Sequence, residues 1–341
     1  MRFGLVRNTE KTKPYHHVGV IGAGSWGTAL ALAATNAGRS VTLWARQVAL
    51  AEAIRTTRQN APFLPGITLP DTIVLTTALA DAARTEAVLL AVPAQHLRAT
   101  LEAASTHLKP GTPAVICAKG IERTSGKLLN EVLAEIAPGA EPAVLSGPSF
   151  ARDVARGLPT AVTIAARMDV AQNLQATLGS GQFRPYASDD VAGVALGGAA
   201  KNVYAIACGI VEGLGLGESA RAALLARGFA ELCRLGEAMG GRIETLMGLS
   251  GLGDLVLSAT SRSSRNFAFG VAVGCGTPRE QLFASDRPLA EGMATAPALV
   301  ARASRHGIEL PVAEAVAQIL DGSLALEAAV PRLMMRPLKT E

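Results

Sequence analysis

The sequence predicts an α/β chain, a doubly wound, mostly parallel sheet domain followed by an all-α domain, and three observations carry that expectation. At 341 residues the chain exceeds what one ordinary hydrophobic core organises, so two domains are expected. Between residues 17 and 167, short apolar β-rich runs alternate with helical stretches. Beyond about residue 189 the strand signals stop, and Ala, Leu and Gly recur at helical spacing.

The strands follow in order as VGVIGAG (18–24), SVTLWAR (40–46), TIVLTT (72–77), AVLLAVP (87–93), AVICAKG (114–120), AVLSGP (143–148) and AVTIAAR (161–167). Most are unbroken apolar runs, the pattern of strands covered by helices on both faces. Gly and Pro cluster beside them at 65–67, 109–111 and 146–148 and supply turns. The later part reads as DDVAGVALGGAAKNVYAIACGIVE, then ESARAALLARGFAELCRLGEAMG, then shorter helical pieces. The expected division is a flexible extension over 1–14, a sheet domain over 15–189 and a helical domain over 190–341.

Composition narrows the partners. Basic residues number 32 against 28 acidic, and they are scattered, which argues against nucleic acid and leaves small anionic ligands compatible. Cys117, Cys208, Cys233 and Cys275 are far apart, with no CxxC pair and no neighbouring His. Neither a metal site nor a redox pair is expected, and reduced thiols suit a cytoplasmic protein. The opening MRFGLVRNTEKTKPYHH lacks the apolar core of a secretory signal. Residues 191–211 are apolar and long enough to cross a bilayer, yet Lys201 and Asn202 stand at their middle. A lysine at the bilayer centre costs about 2.5–3.5 kcal/mol, so a buried helix and no membrane span are expected.

Four groups of residues carry chemistry. Gly22-Ala23-Gly24-Ser25-Trp26-Gly27 follows one apolar run and opens a helix. Gly22 allows the tight turn, Gly24 lets backbone approach a pyrophosphate, and Gly27 lets helix and strand pack closely; the helix N-terminus then faces phosphate. In that position the pattern reads as a Rossmann-like dinucleotide site. At the end of the second strand, where an NAD enzyme carries Asp or Glu, stands Leu43-Trp44-Ala45-Arg46-Gln47. Arg46 can pair with a 2′-phosphate, which favours NADPH or dual use, against a merely solvated loop arginine.

Lys201 is the only charge between Asp190 and Glu212. Buried, its pKa falls and the neutral amine can act as general base; the competing reading is a lysine whose head reaches water. In GLSGLGDLVLSATSRSSRN, the Gly248, Gly251 and Gly253 run sets a constrained turn before Asp254, with Ser264-Arg265-Asn266 further on. That trio suits a phosphate ester, or an ordinary helix N-cap followed by a solvated arginine. Lys119-Gly120 and the stretch 146–151 lie past buried strands at the carboxyl edge of the sheet, where open α/β sheets bind ligands.

GAGSWGTALA, the AVP turn at 91–93, AKGIE, LSGPSFA, GLPTAV, LGGAAKNVYAIACGI, GLGDLVLSATS with SRN, and AEG at 290–292 resemble, in order and spacing, the bacterial NAD(P)-dependent glycerol-3-phosphate dehydrogenases over residues 18–326. The resemblance implies cofactor contacts at Ser25, Trp26, Arg46, Lys119, Gly147, Ser149, Ala151, Arg265, Leu289 and Glu291. It implies Lys201 as proton acceptor, and substrate contacts at Lys119, Gly147, Ser149, Lys201, Asp254, Ser264, Arg265 and Asn266. Asp254 would orient the lysine or the substrate hydroxyl. The reaction implied is reversible hydride transfer between C2 of sn-glycerol 3-phosphate and nicotinamide C4, giving dihydroxyacetone phosphate and, run as a reduction, supplying glycerol 3-phosphate for phospholipid synthesis. Two departures are the residues before Pro14 and Leu289-Ala290, where relatives often carry two valines.

A β-hydroxyacid dehydrogenase such as 6-phosphogluconate dehydrogenase also pairs a sheet domain with a lysine-bearing helical one, but GLGDL and SRN after the lysine helix argue against it. A nicotinamide-sensing protein without turnover is the rival from another class. The sequence leaves the oligomeric state open, a homodimer included.

Overall fold

The computed structural model describes residues 12–284 and 290–334. Chain order in the first part is β1 (His17–Ile21), α1 (Ser25–Asn36), β2 (Ser40–Trp44), α2 (Val48–Thr57), β3 (Ile73–Thr76), α3 (Leu79–Ala83), β4 (Ala87–Leu90), α4 (Leu97–Ser105), β5 (Pro113–Ile116), α5 (Leu129–Ile136), β6 (Glu141–Ser146) and α6 (Ala151–Ala155). β7 (Thr160–Ala165), α7 (Met168–Leu178) and β8 (Phe183–Ser188) complete it. The described strands form one sheet in the order β3-β2-β1-β4-β5-β6-β7-β8. All neighbours run parallel except β6 and β7. The order reverses between β1 and β4, and the crevice outside the carboxyl ends of those strands is where such sheets take ligands.

Successive residues of a strand point to opposite faces, and both faces here are dry. Val18, Val20 and Leu89 pack into one apolar cluster with α1 and α7, whereas Ile21, Val88 and Leu90 pack into another with α4 and α5. This is why the strands read as unbroken apolar runs. β8 was not expected. Its residues Phe-Arg-Pro-Tyr alternate buried and exposed at the sheet edge, and Pro185, which lacks an N–H, is tolerated there.

The rest is helical among the described residues: α8 (Val191–Gly213), α9 (Gly217–Ala238), α10 (Ile243–Met247), α11 (Asp254–Ala259), α12 (Arg265–Gly274), α13 (Arg279–Leu282), α14 (Glu291–Arg305), α15 (Pro311–Asp321) and α16 (Leu326–Met334). α8 is the axis, starting on the side-chain cap that Asp190 provides to the Gly193 N–H at 2.8 Å. It is long and apolar enough to cross a membrane, but 94% of its most apolar stretch is buried inside the protein. Its burial all round explains its apolar composition.

Candidate active site

β1 delivers the chain into the glycine turn and α1 leads it away. Gly22 has φ +116°, and a Cβ there would stand 2.9 Å from the Ala91 carbonyl oxygen. A Cβ on Gly27 would stand 1.8 Å from the Gly22 carbonyl oxygen, so packing within the chain requires both glycines. Gly24 differs: its φ is −76° and a Cβ would meet nothing within 4 Å. The open ground above Gly24 is what close backbone approach by a pyrophosphate needs. α1 has no side-chain N-cap and no acidic residue in its first turn, which leaves its positive end available to an anion. Nearby, Trp26 Nε1 is buried without a hydrogen-bond partner, as is Glu291 Oε2. Unmet buried polar atoms of this kind cost about 1–3 kcal/mol each, and a polar ligand can satisfy them. Arg46, two residues past β2, is exposed.

The second group gathers around Asp254. Lys119 lies past β5 and Gly147 past β6, both at the carboxyl edge of the sheet; Lys201 comes from the middle of α8. Asp254 opens α11 directly after a π-helical turn over Leu249–Gly253, the widened kind of turn frequent at functional sites. Lys201 Nζ donates to Asp254 Oδ1 at 3.0 Å and to Ser258 Oγ at 2.7 Å. Lys119 Nζ donates to Asp254 Oδ2 and, at 3.0 Å, to the Gly147 carbonyl. One carboxylate therefore holds two ammonium groups, and the trio keeps a net positive charge. α8 reaches this position because Gly197 and Gly198 have no side chains: Cβ atoms there would stand 2.8 Å from the Ser250 carbonyl oxygen and 2.6 Å from Ser146 Oγ.

Burial pushes the Lys201 ammonium down to about 8, aided by the charges of Lys119 and Arg265, and Asp254 only partly opposes this. Burial would raise Asp254, but the two lysines outweigh it and hold its carboxyl below the usual range. Glu291 is raised, first by burial, against the Ala94 N–H and the charge of Arg265.

A chain of amides links the two groups. Asn202 Nδ2 donates to the Lys119 carbonyl at 3.1 Å, Asn266 Nδ2 donates to Asn202 Oδ1 at 2.8 Å, and the Gly292 N–H donates to Asn266 Oδ1 at 2.9 Å. One residue earlier, Glu291 Oε1 accepts from the Ala94 N–H at 3.1 Å, just past the 91–93 turn that Gly22 abuts. The glycine turn, the start of α14 and the lysine pair thus share one edge of the sheet.

Of the residues read from the sequence, Gly147, Lys119, Asp254 and Lys201 are joined in one chain of hydrogen bonds. Ser149 Oγ donates to the Gly147 carbonyl at 3.0 Å, and Ala151 opens α6, which packs on α1. Ser264 caps α12, its Oγ accepting from the Phe267 N–H at 3.3 Å. Arg265 beside it is exposed, close enough for its charge to act on Lys201 and Glu291. Leu289 lies outside the described residues. Ser258 and Asn202 were passed over. Ser258 stands one helical turn beyond Asp254, on the same face, and that spacing within GLGDLVLSA was the available signal.

Residues 17–172 match a sequence model of the NAD-dependent glycerol-3-phosphate dehydrogenase N-terminus, and residues 190–331 match that of its C-terminus. The chain is 57% identical over 328 residues to a glycerol-3-phosphate dehydrogenase (NAD(P)+) of Bradyrhizobium sp. (strain ORS 278), covering 96% of this chain and 98% of that one. It is 54% identical over 331 residues to the enzyme of that name from Parvibaculum lavamentivorans, covering 97% and 99%. The crystal structure of glycerol-3-phosphate dehydrogenase from Coxiella burnetii superimposes with a TM-score of 0.89 at 37% identity, over 94% of this chain and 99% of that one. A ketopantoate reductase from Ralstonia eutropha, at 14% identity and a TM-score of 0.57, shares the fold alone. With the glycine turn, the buried lysine and both halves matched in order, the chain belongs to the NAD-dependent glycerol-3-phosphate dehydrogenase family.

Proposed function

We infer that the chain is an NAD(P)-dependent sn-glycerol-3-phosphate dehydrogenase that interconverts glycerol 3-phosphate and dihydroxyacetone phosphate. The observation that carries this reading is a pair of lysines, Lys201 buried and Lys119 half-buried, on one buried carboxylate, placed beside a dinucleotide-binding glycine turn. The sheet residues 15–189 would hold the dinucleotide, with Gly22, Gly24, Ser25, Trp26 and Gly27 around its pyrophosphate, and residues 190–341 would supply the substrate side. When bound, the nicotinamide accepts or returns a hydride at C4.

The rest of the chemistry belongs to side chains. In the oxidation direction the neutral amine of Lys201 takes the proton of the C2 hydroxyl as the hydride leaves; in reduction its ammonium returns that proton to the carbonyl oxygen. Asp254 and Ser258 accept hydrogen bonds from Lys201 and so aim its remaining N–H or lone pair. Asp254, ionised at neutral pH, keeps Lys119 in place with the Gly147 carbonyl. Lys119 and Arg265 neutralise the phosphate, a dianion that the net positive trio tolerates. Asn266 has one amide hydrogen left for a substrate oxygen after serving Asn202. The setting we propose is the cytoplasm, supported by four free thiols, with the reduction supplying glycerol 3-phosphate for phospholipid synthesis.

The test is NADPH absorbance in the presence of the purified chain and dihydroxyacetone phosphate. Stoichiometric loss of absorbance with substrate is expected. NADPH binding without turnover would make the chain a sensor, and turnover only in the reverse direction, NADP+ being reduced by a 3-hydroxyacid, would place it among the β-hydroxyacid dehydrogenases.

Arg46 bears on cofactor choice. Exposed past β2 with no carboxylate at the strand end, it is free to meet a 2′-phosphate, which NADPH has and NADH lacks. Arg46→Ala is expected to raise KM for NADPH by about ten-fold or more, the scale of one charge-assisted hydrogen bond, and to leave KM for NADH nearly unchanged. Equal effects on both cofactors would reduce Arg46 to surface charge.

A further inference from the structure

Asn60 lies outside every element that carries a reactive group, yet it is fully buried against the glycine turn. It follows α2 by three residues, just past Arg58, the one non-glycine residue with positive φ (51°) among those described. Its carbonyl accepts from the N–H groups of Phe63 and Leu64 at 3.1 and 2.7 Å, which folds residues 60–64 into a tight bend. Its side-chain nitrogen spends both hydrogens on the neighbouring turn, donating to the Ala23 carbonyl at 2.9 Å and to Thr28 Oγ1 at 2.8 Å. From the other side, Ser25 Oγ donates to the Phe63 carbonyl at 2.9 Å. Three hydrogen bonds therefore stitch the bend to the turn and the first turn of α1.

Resting on the reading of that turn as a pyrophosphate site, the geometry points to Asn60 as a positioning residue for the cofactor, one that grips the Ala23 carbonyl and thereby aims the Gly24 N–H at phosphate. The Ala23 carbonyl and the Gly24 N–H belong to one planar trans peptide unit and point in opposite directions. Holding the oxygen on Asn60 turns the N–H away from it. The unit turns about Ala23 ψ and Gly24 φ, and Gly24, which has no side chain, offers little resistance to its rotation. Rotated, it would turn a carbonyl oxygen toward an anion. Asn60 Oδ1 is itself buried without a partner, so the amide costs stability where a leucine of similar shape would not. What the position gains from an amide is the grip of its nitrogen.

Asn60→Asp keeps the shape, removes both donated hydrogens and sets a negative charge beside the Ala23 oxygen. Binding is measured by titration with NADPH and with 2′-AMP, which carries the adenosine and 2′-phosphate but no pyrophosphate. The expected result is a rise of about ten-fold or more in Kd for NADPH, the scale of one charge-assisted hydrogen bond, with Kd for 2′-AMP held within about two-fold, inside the ordinary variation of surface substitutions. An unchanged Kd for NADPH overturns the assignment, and so does equal weakening of both ligands, which would mean general loosening. Should the aspartate variant not fold, Asn60→Leu, uncharged and of similar volume, carries the same comparison; failure of both to fold would make Asn60 structural and overturn it too. A wild-type chain that binds no NADPH would instead fell the cofactor reading, and the assignment with it.

Discussion

Lys201→Met is expected to lower kcat by at least about 100-fold, the lower bound for losing a general acid or base, while NADPH still binds. Lys201 donates to Asp254, burial brings its pKa down to about 8, and arginine does not titrate in this range. Methionine matches the lysine in length and needs no desolvation of charge. Asp254 would not be stranded, because Lys119 still donates to it, so the fold should survive. Asp254 Oδ1 and Ser258 Oγ lose the Lys201 donor, and Ser258 Oγ still donates to Asp254 Oδ1 at 3.3 Å. The same pKa sets the pH dependence, with opposite signs in the two directions. Oxidation of glycerol 3-phosphate needs the neutral amine, so its kcat/KM should rise with pH and level off above about 8. Reduction needs the ammonium, so its kcat/KM should hold at lower pH and fall as pH passes about 8. Turnover and NADPH fluorescence titration in one preparation decide the matter. A variant keeping more than about a tenth of wild-type kcat would make Lys201 a structural or substrate-positioning residue.

Dihydroxyacetone, which lacks the phosphate, is expected to be reduced with a kcat/KM about 10²–10⁴-fold below that of dihydroxyacetone phosphate. Two charge-assisted contacts, from Arg265 and Lys119, at about 1.5–3 kcal/mol each, give that range. The exposure of Arg265 matters to the estimate: its guanidinium is solvated before substrate arrives, which favours the lower end for its share. Arg265→Ala should therefore cost about ten-fold or more with the phosphorylated substrate and almost nothing with dihydroxyacetone. The four rate constants form a cycle that isolates the phosphate contact from any general damage. Comparable kcat/KM for the two substrates in the wild type would remove the phosphate clamp altogether.

Much of this site was legible because its signals are local. Gly22, Gly24 and Gly27 sit on one turn; Gly22 answers to its positive φ and Gly27 to the Gly22 carbonyl five residues back. Lys201 announced itself as a lone charge on an apolar helix, since a buried charge stands out against any apolar pattern. Ser264 shows the limit of such reading. Local chemistry allowed a phosphate donor or an N-cap, and the hydroxyl does cap α12. β8 escaped notice because an edge strand with one wet face and an internal proline has no unbroken apolar run to betray it.

By itself the sequence determined the order of the first seven strands, the switch to helices near residue 190, the glycine turn and the identity of the buried lysine, because hydrophobic periodicity and backbone permissiveness act over short distances. Only the tertiary structure decided who holds that lysine. Asp254 and Lys201 are 53 residues apart, Asp254 and Lys119 are 135 apart, and Asn202 reaches back 83 residues to the Lys119 carbonyl. Asn60 meets Ala23 across 37 residues. A polar side chain finds its partner through packing, when helices with bare glycine faces such as α8 settle onto the sheet and bring residues far apart in sequence within hydrogen-bond reach.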